Sequence, residues 1–345
     1  MNKGIAIAGN LLVDMLYPVS GFPGPGELTT ITGDLSRATG GCLCNDIIDL
    51  AALDPALPLV ALGRAGNDEA GNYVVDRLRA WPNIDLSQLR RGGTTSYTLV
   101  IFDEVTKQRT FYHCRGANAE FCEADIDWDG LDVDILHIGY ILLLDALDAP
   151  DDECGTKMAR LLRAAKRRGI RTSIDVVTEA GERFSRIVPP ALKYADYCII
   201  NEVEAQATTG IPLVDESGDP IREHMPAALM RMKEMGVSTW AVIHCPKGGY
   251  GVDERGRYVE VPGLVLPEGY IRGSVGAGDA FCSGVLYAAW KEMGLREAIE
   301  LGTAAAACSL SQPGATEGMR DYAATMALYD ELRENERAQN RHRHA

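Results

Sequence analysis

No apolar run in these 345 residues approaches the ~18–20 needed to cross a bilayer as a helix, so a membrane-spanning protein is not expected. The chain passes from Met1-Asn2-Lys3 into a strand-like segment without the apolar stretch of a signal peptide, which makes the cytoplasm the expected compartment. Positive charge is also short: Lys and Arg minus Asp and Glu is 34 − 49 = −15. That balance excludes a broad nucleic-acid surface, while a local cationic pocket stays compatible with it. Nine cysteines, an odd number scattered through apolar stretches, do not form a disulfide framework and read as reduced thiols. Cys42 and Cys44 stand one residue apart, but no Cys or His pair follows nearby to complete a metal site, and they read as core or loop thiols. There is no internal repeat, no Walker G-x-x-x-x-G-K-[ST], and no dinucleotide fingerprint, because Phe281 stands where the third glycine after Gly276-Ala277-Gly278 would be.

What the chain does have is length for a buried core, 46% hydrophobic residues, and a regular alternation of strand and helix patterns. Strands are expected at Gly4–Ala8, Leu59–Leu62, Ile135–Ile138, Thr172–Asp175, Tyr197–Ile200 and Trp240–His244. Helices are expected at Asn45–Leu53, Gly71–Trp81, Gly155–Arg168 and Met225–Met235, with Gly169 and Gly236 as closing glycines. This rhythm predicts one α/β domain over 1–345, a mostly parallel sheet with helices on both faces, and ligands at the carboxyl ends of the strands. Two segments break the rhythm. Residues 15–36 are rich in Gly, Pro and Thr, and residues 94–115 read as a hairpin with a charged turn at Asp103–Gln108. Together they predict a small β lid, though an ordinary edge hairpin fits the second as well. Residues 331–345 read as a frayed, solvated helix end, with no function expected of His342 or His344.

The sharpest chemical signal is Gly273-Ser274-Val275-Gly276-Ala277-Gly278-Asp279, feeding a helix pattern that Gly294 closes. A glycine turn at a helix start leaves backbone N–H groups free for an anion, and Asp279 can accept a proton from an attacking hydroxyl. The same residues also fit a tight turn with an acid that merely favours a helix start. Asp14 is expected at the carboxyl end of the first strand, where it can accept two hydroxyls or cap a turn. Gly40-Gly41 opens a helix bearing Asn45, which offers both a donor and acceptors. Asn201 and Glu204 match a capping box; a sharper reading has them organising water around Mg²⁺ and nucleotide phosphates. Gly63 to Gly71 reads as architectural.

In order and spacing these segments resemble the ribokinase-like sugar kinases of the PfkB family, from Gly9 to about Gly318. The carriers are Gly9…Asp14, Gly40-Gly41…Asn45, Gly63…Gly66…Asp68…Gly71, Arg115-Gly116-Ala117-Asn118, Asn201…Glu204, Lys247-Gly248 and Gly276-Ala277-Gly278-Asp279. The resemblance implies a three-layer α/β/α fold and ATP-dependent phosphorylation of a sugar hydroxyl. Asp279 would be the base, and Gly276, Ala277 and Gly278 the anion hole. Asp14, Gly40, Gly41, Asn45 and Arg115 would serve the acceptor. Asn201, Lys247, Gly248, Gly249 and Thr303 would serve the nucleotide, with Glu204 reaching Mg²⁺ through water. The lid would close over the substrate and pair two subunits into a homodimer.

The sequence departs from the family pattern in places. Gly273 stands where an Asp usually helps hold a monovalent cation, so potassium activation is left open. Thr303 replaces a common Asn near the adenine, and Cys245 a frequent glycine. Leu12 and Tyr140 replace the Asn and Glu of ribokinases proper, which points away from ribose itself. A nucleoside kinase is the second expectation, with Phe22, Tyr97, Phe111 and Tyr112 available to stack a base or to fill the lid. A non-catalytic sugar or nucleotide sensor is the third, and the intact Asp279 speaks against it. A phosphorylated or sulfonated sugar would need cations, which Arg109 and Arg115 could supply, and Arg109 reads equally as a solvated hairpin residue.

Overall fold

A computed structural model describes residues 3–103, 105–106, 108–178 and 183–343, with the side chains of the last helix described through 337. Positions 104 and 107 of the expected charged turn, and His344 of the tail, lie outside the described residues, and so does the side chain of His342. Strands and helices are numbered along the chain. The central sheet has nine strands: β1 (Gly4–Gly9), β4 (Leu59–Leu62), β6 (Ile84–Asp85), β10 (Val133–Ile141), β13 (Arg171–Val176), β14 (Tyr197–Asn201), β15 (Trp240–Cys245), β16 (Gly248–Val252) and β17 (Tyr258–Pro262). Their spatial order is β17-β16-β15-β14-β13-β10-β1-β4-β6. Neighbours from β6 to β15 are parallel, and β16 and β17 extend that edge antiparallel.

Parallel strands covered on both faces are apolar on both faces. β1 shows this residue by residue, since successive side chains alternate sides. Ile5 and Ile7 enter the cluster that includes α1 (Cys42–Leu53), α2 (Glu69–Arg79), α8 (Ala277–Trp290) and α9 (Leu295–Leu310). Ala6 and Ala8 enter the opposite cluster, which includes α3 (Asp145–Asp148), α4 (Lys157–Arg167), α5 (Phe184–Leu192), α6 (Glu202–Thr209) and α7 (Met225–Met235). The last helix, α10 (Tyr322–Arg343), seats Leu328 and Leu332 against Ala307 and Cys308 of α9. The result is three layers, helices on each face of one sheet.

The second sheet is small: β3 (Ser36–Gly40), β2 (Leu12–Val19), β8 (Ser96–Asp103) and β9 (Arg109–Cys114), in that order. The expected lid is therefore a four-stranded sheet, and its first strand begins at Leu12, before the glycine-rich stretch. Asp14 belongs to this strand, paired with Ala38 and Thr98, and not to the end of the first core strand where it was expected. The lid is rooted by a buried amide pair. Asn118 Oδ1 accepts from Leu11 N (3.2 Å), while its Nδ2 donates to Asn10 Oδ1 (3.1 Å) and Leu11 O (3.0 Å).

Two ribbons, β5 (Arg64–Ala65) with β7 (Arg90–Arg91) and β11 (Pro150–Asp151) with β12 (Gly155–Thr156), brace the loops. The second explains why the helix expected from Gly155 begins at Lys157: Gly155 has φ +88°, and Thr156 Oγ1 caps Ala159 N at 3.1 Å. The Gly63–Gly71 turn is architectural. Asp68 accepts from Gly71 N (2.8 Å) and Thr95 N (2.8 Å), tying α2 to the root of the lid. Asp68→Ala should lower stability by about 1–2 kcal/mol in denaturant unfolding, through loss of that cap.

Candidate active site

The turn before α8 places residue 276 in the left-handed region at φ +79°, where a Cβ would stand 2.6 Å from that of Ala315; only glycine fits. Ala280 N closes the first helical turn on Gly276 O at 2.8 Å, so the N–H groups of 277, 278 and 279 precede the first intrahelical bond. With the helix dipole they form an anion-attracting end. Asp279 lies in this turn, 6% exposed. Its Oδ2 accepts from Asn45 Nδ2 at 2.7 Å, and the Tyr140 hydroxyl reaches Oδ1 and Oδ2 at 3.0 and 3.2 Å. Burial pushes the Asp279 carboxyl above its ordinary range, and the bonds from Asn45 and Tyr140 oppose that shift.

Asn45 is set by α1, whose N-cap Gly41 has φ +84° and passes within 2.4 Å, measured from a built Cβ, of Asn10 O. Asn45 Oδ1 has no hydrogen-bond partner although the residue is buried, which leaves an acceptor beside Asp279. Tyr140 is aimed by an irregularity in β10: its register against β13 shifts between Ile138 and Ile141, and Tyr140 itself has φ +57°. Asp14 comes in from the lid, beside Gly40, where a Cβ would meet its carboxylate at 2.4 Å. Burial first, then the charge of Asp279, push Asp14 up to about 6, against a hydrogen bond from Thr98.

Two adjoining cavities open from this point and share Asn201, His244 and Gly278. The smaller, about 230 Å³, is lined by Asp279, Gly276, Gly278, Tyr140, Asp175, Thr178, Asn201 and Glu204 among others. Asn201 and Glu204 form the expected capping box: Glu204 N donates to Asn201 Oδ1 (2.9 Å) and Asn201 N to Glu204 Oε2 (3.0 Å). Both also face the cavity, so the two readings of this pair coexist. Glu204 Oε1 accepts from Thr178 (2.8 Å), and burial pushes its carboxyl up to about 7. Asp175 is pushed well up by burial and then by Glu204. The larger cavity, about 670 Å³, is mostly apolar, with Leu264, Leu266, Ala306, Leu310 and Thr303 on its walls and Ala277, Gly248 and Cys245 at its rim.

Other expected residues lie elsewhere. Lys247 does not line either cavity and pairs with Asp219 at 3.2 Å, both largely exposed. Gly249 faces the core, where a Cβ would meet Ile299 at 2.4 Å. Arg115 donates to Leu142 O (2.8 Å) and Asp145 (2.7 Å), bracing the lid root and lining neither cavity. At Gly273 a Cβ would stand 2.5 Å from Pro313 O, so the cation-holding Asp of the family pattern has no room there.

The sequence reading missed Asp175 and His244. Asp175 carried a usable signal, a carboxylate at the C-terminal end of a parallel strand. His244 stacks on Phe281 at 4.8 Å between ring centroids, a contact across 37 residues that no local pattern announces.

The family described as "pfkB family carbohydrate kinase" matches residues 2–321. A ribokinase of Haemophilus influenzae is 25% identical over 318 residues, 91% of this chain and 94% of that protein. Among solved structures, a ribokinase of Thermotoga maritima superposes with TM-score 0.77 at 22% identity, covering 95% of this chain and 99% of that one. A ribokinase of Arabidopsis thaliana complexed with ribose and ATP gives 0.75 at 18% identity, covering 95% and 99%. A nucleoside kinase of Methanocaldococcus jannaschii gives 0.73 at 16%, covering 96% and 100%. The fold is the ribokinase fold, and the chain belongs to the PfkB family of carbohydrate kinases, phosphotransferases that act on hydroxyl acceptors.

Proposed function

We propose that this protein transfers the γ-phosphoryl group of ATP to a hydroxyl of a sugar or sugar derivative, with Asp279 as general base. The observation that carries the reading is the meeting, in one cavity, of the buried Asp279 carboxylate with the free amide end of α8. The acceptor hydroxyl loses its proton to Asp279 as its oxygen bonds to phosphorus and the bond to the departing ADP oxygen breaks. The amides of this turn, expected at 276–278 and left free by the helix at 277–279, would stabilise the charge that develops on the transferred group. Asp14 and the unpartnered Asn45 Oδ1 accept hydrogen bonds from the acceptor's hydroxyls, with Gly40 and Gly41 giving the room. The apolar walls of the larger cavity, with Thr303, Gly248 and Ala277, suit a purine base. Closure of the lid would exclude water from the transfer.

An all-oxygen donor set of Asp175, Glu204, Asn201 and Thr178 fits Mg²⁺, a hard cation that keeps several waters. Glu204 already spends both oxygens on Asn201 and Thr178, so it would hold the ion through water. When bound, Mg²⁺ neutralises phosphate charge. Glu204→Gln should raise the Mg²⁺ concentration needed for half-maximal rate by roughly 10–100-fold, the effect usual for residues that orient metal ligands, and a Mg²⁺ titration of initial rate checks it.

A homodimer through the lid fits the exposed apolar residues of its sheet and loops, among them Phe111, Leu28 and Ile31. The test of the function is a panel of sugars, sugar phosphates and nucleosides with ATP and Mg²⁺, read as ADP release. At least one sugar should turn over; turnover of nucleosides alone would move the assignment to a nucleoside kinase, and ATP binding without any ADP release to a sensor.

A further inference from the structure

Beneath the Asp279 pocket, the three elements that hold it meet a second time. α1, which presents Asn45, also presents Cys42 and Asp46 one turn apart. β10, which presents Tyr140, also presents His137; α8 carries Cys282 just after Asp279. A thiol sulfur of Cys42, a carboxylate oxygen of Asp46 and a ring nitrogen of His137 lie within 4.8 Å of one another, all buried. Cys282 Sγ lies 3.9 Å from His137 Nε2. We propose that Cys42, Asp46 and His137, with Cys282 turning in from outside that cluster as the fourth ligand, form a binding site for a thiophilic divalent transition-metal ion, zinc being the best match, separate from the oxygen-lined cavity above.

The first support is an orphaned atom. Asp46 is 1% exposed, yet its Oδ2 makes no hydrogen bond, although His137 Nε2 is only 3.2 Å away. A buried carboxylate oxygen whose nearest polar neighbour is not aligned to hydrogen-bond it is costly. Two ligands each ~2.0–2.1 Å from a tetrahedral zinc stand about 3.3 Å apart, so the observed pair has the bite of a metal site. The second support is the histidine's far side. His137 Nδ1 lies 2.9 Å from Ser173 Oγ, the kind of outer partner that fixes a metal-binding imidazole with its other nitrogen turned inward. The third is space. At Gly139 a Cβ would stand 2.2 Å from Cys42 Sγ and 3.2 Å from His137 Nε2, so glycine there is what admits the sulfur to the cluster.

Two sulfurs, one nitrogen and one oxygen select zinc-like ions over Mg²⁺. As a thiol Cys42 donates to Ala8 O at 3.7 Å; binding exchanges that weak bond for a metal–sulfur bond and releases the thiol protons to solvent. The ion would pin α1, β10 and α8 together directly under the residues that set Asp279. The proposal does not depend on which acceptor the enzyme phosphorylates.

The test uses the full chain with His342→Gln and His344→Gln, which removes the tail imidazoles as chelators. Protein from zinc-supplemented cells is desalted and its metal counted by mass spectrometry, then exchanged to Co²⁺. The expected result is one ion per chain, with the visible absorption of tetrahedral cobalt and a thiolate-to-cobalt band in the near ultraviolet. Cys42→Ser and Cys282→Ser should each diminish that band, and Cys44→Ser should leave it. Ser173→Ala, which removes no ligand, should keep the band and weaken binding roughly 10–100-fold. No retained metal, even after refolding with Zn²⁺, overturns the site. So does a cobalt spectrum without the thiolate band, or binding that survives Cys42→Ser combined with Cys282→Ser.

Discussion

Asp279→Asn should lower kcat by about 10²–10⁴-fold, the usual contribution of a positioned general base, while leaving nucleotide affinity close to that of the parent. The substitution keeps the side-chain shape, so Asn45 Nδ2 retains an oxygen to donate to, but the amide cannot take a proton. Burial makes Asp279 a better proton acceptor than an exposed aspartate, which matters for a reaction whose transition state asks chiefly for position and charge stabilisation. Nucleotide binding should survive because Asp279 does not line the larger cavity. Initial rates of ADP release and calorimetric titration with ATP separate the two effects. An unchanged kcat removes Asp279 from the role of base; lost ATP binding instead makes it a binding residue.

How much of this was legible follows from the range of each interaction. The six expected core strands lie within observed strands, because an apolar run between helix patterns records burial on both faces within a few residues. Met225–Met235 matches to the residue, with Gly236 closing it. Strand β2 was missed: its Asp14 and Pro18 interrupt the apolar pattern, and its strand partners lie twenty or more residues away. Strand β16, Gly-Gly-Tyr-Gly-Val, defies strand propensity because Ile299, Phe281 and Leu295 crowd its face and leave room only for hydrogen.

Asp279 and the amides beside it were legible as a unit because they share one turn. What surrounds them was not. Asn45 and Tyr140 reach Asp279 across 234 and 139 residues, and no local pattern encodes those contacts. The resemblance marked Tyr140 only as a departure; the structure shows its hydroxyl on the Asp279 carboxylate. Gly249 and Lys247 show the opposite failure, since a motif names a segment without saying which of its residues face the cavity.

Those long-range contacts make the pH–rate profile the second strong test. Asp279 works deprotonated, so kcat/KM should fall on the acid side as its carboxyl protonates. The Tyr140 hydroxyl and Asn45 amide both stabilise the carboxylate and hold that titration down. Tyr140→Phe removes one donor, so the acid limb should move to higher pH. Asn45→Asp does more: it sets a second carboxyl within the 2.7 Å now spanned by a hydrogen bond, and two carboxylates that close share a proton and titrate as a pair. The limb should therefore rise in the order parent, Tyr140→Phe, Asn45→Asp, and at a fixed pH below it each unit of displacement costs about tenfold in rate. Asp14, pushed up to about 6 and close enough to feel the charge of Asp279, is the other group whose titration could produce such a limb, and Asp14→Asn separates them. If Asp14→Asn abolishes the limb while Tyr140→Phe and Asn45→Asp leave its position unchanged, the titrating group is Asp14, and the acceptor-binding carboxylate rather than the base sets the acid dependence.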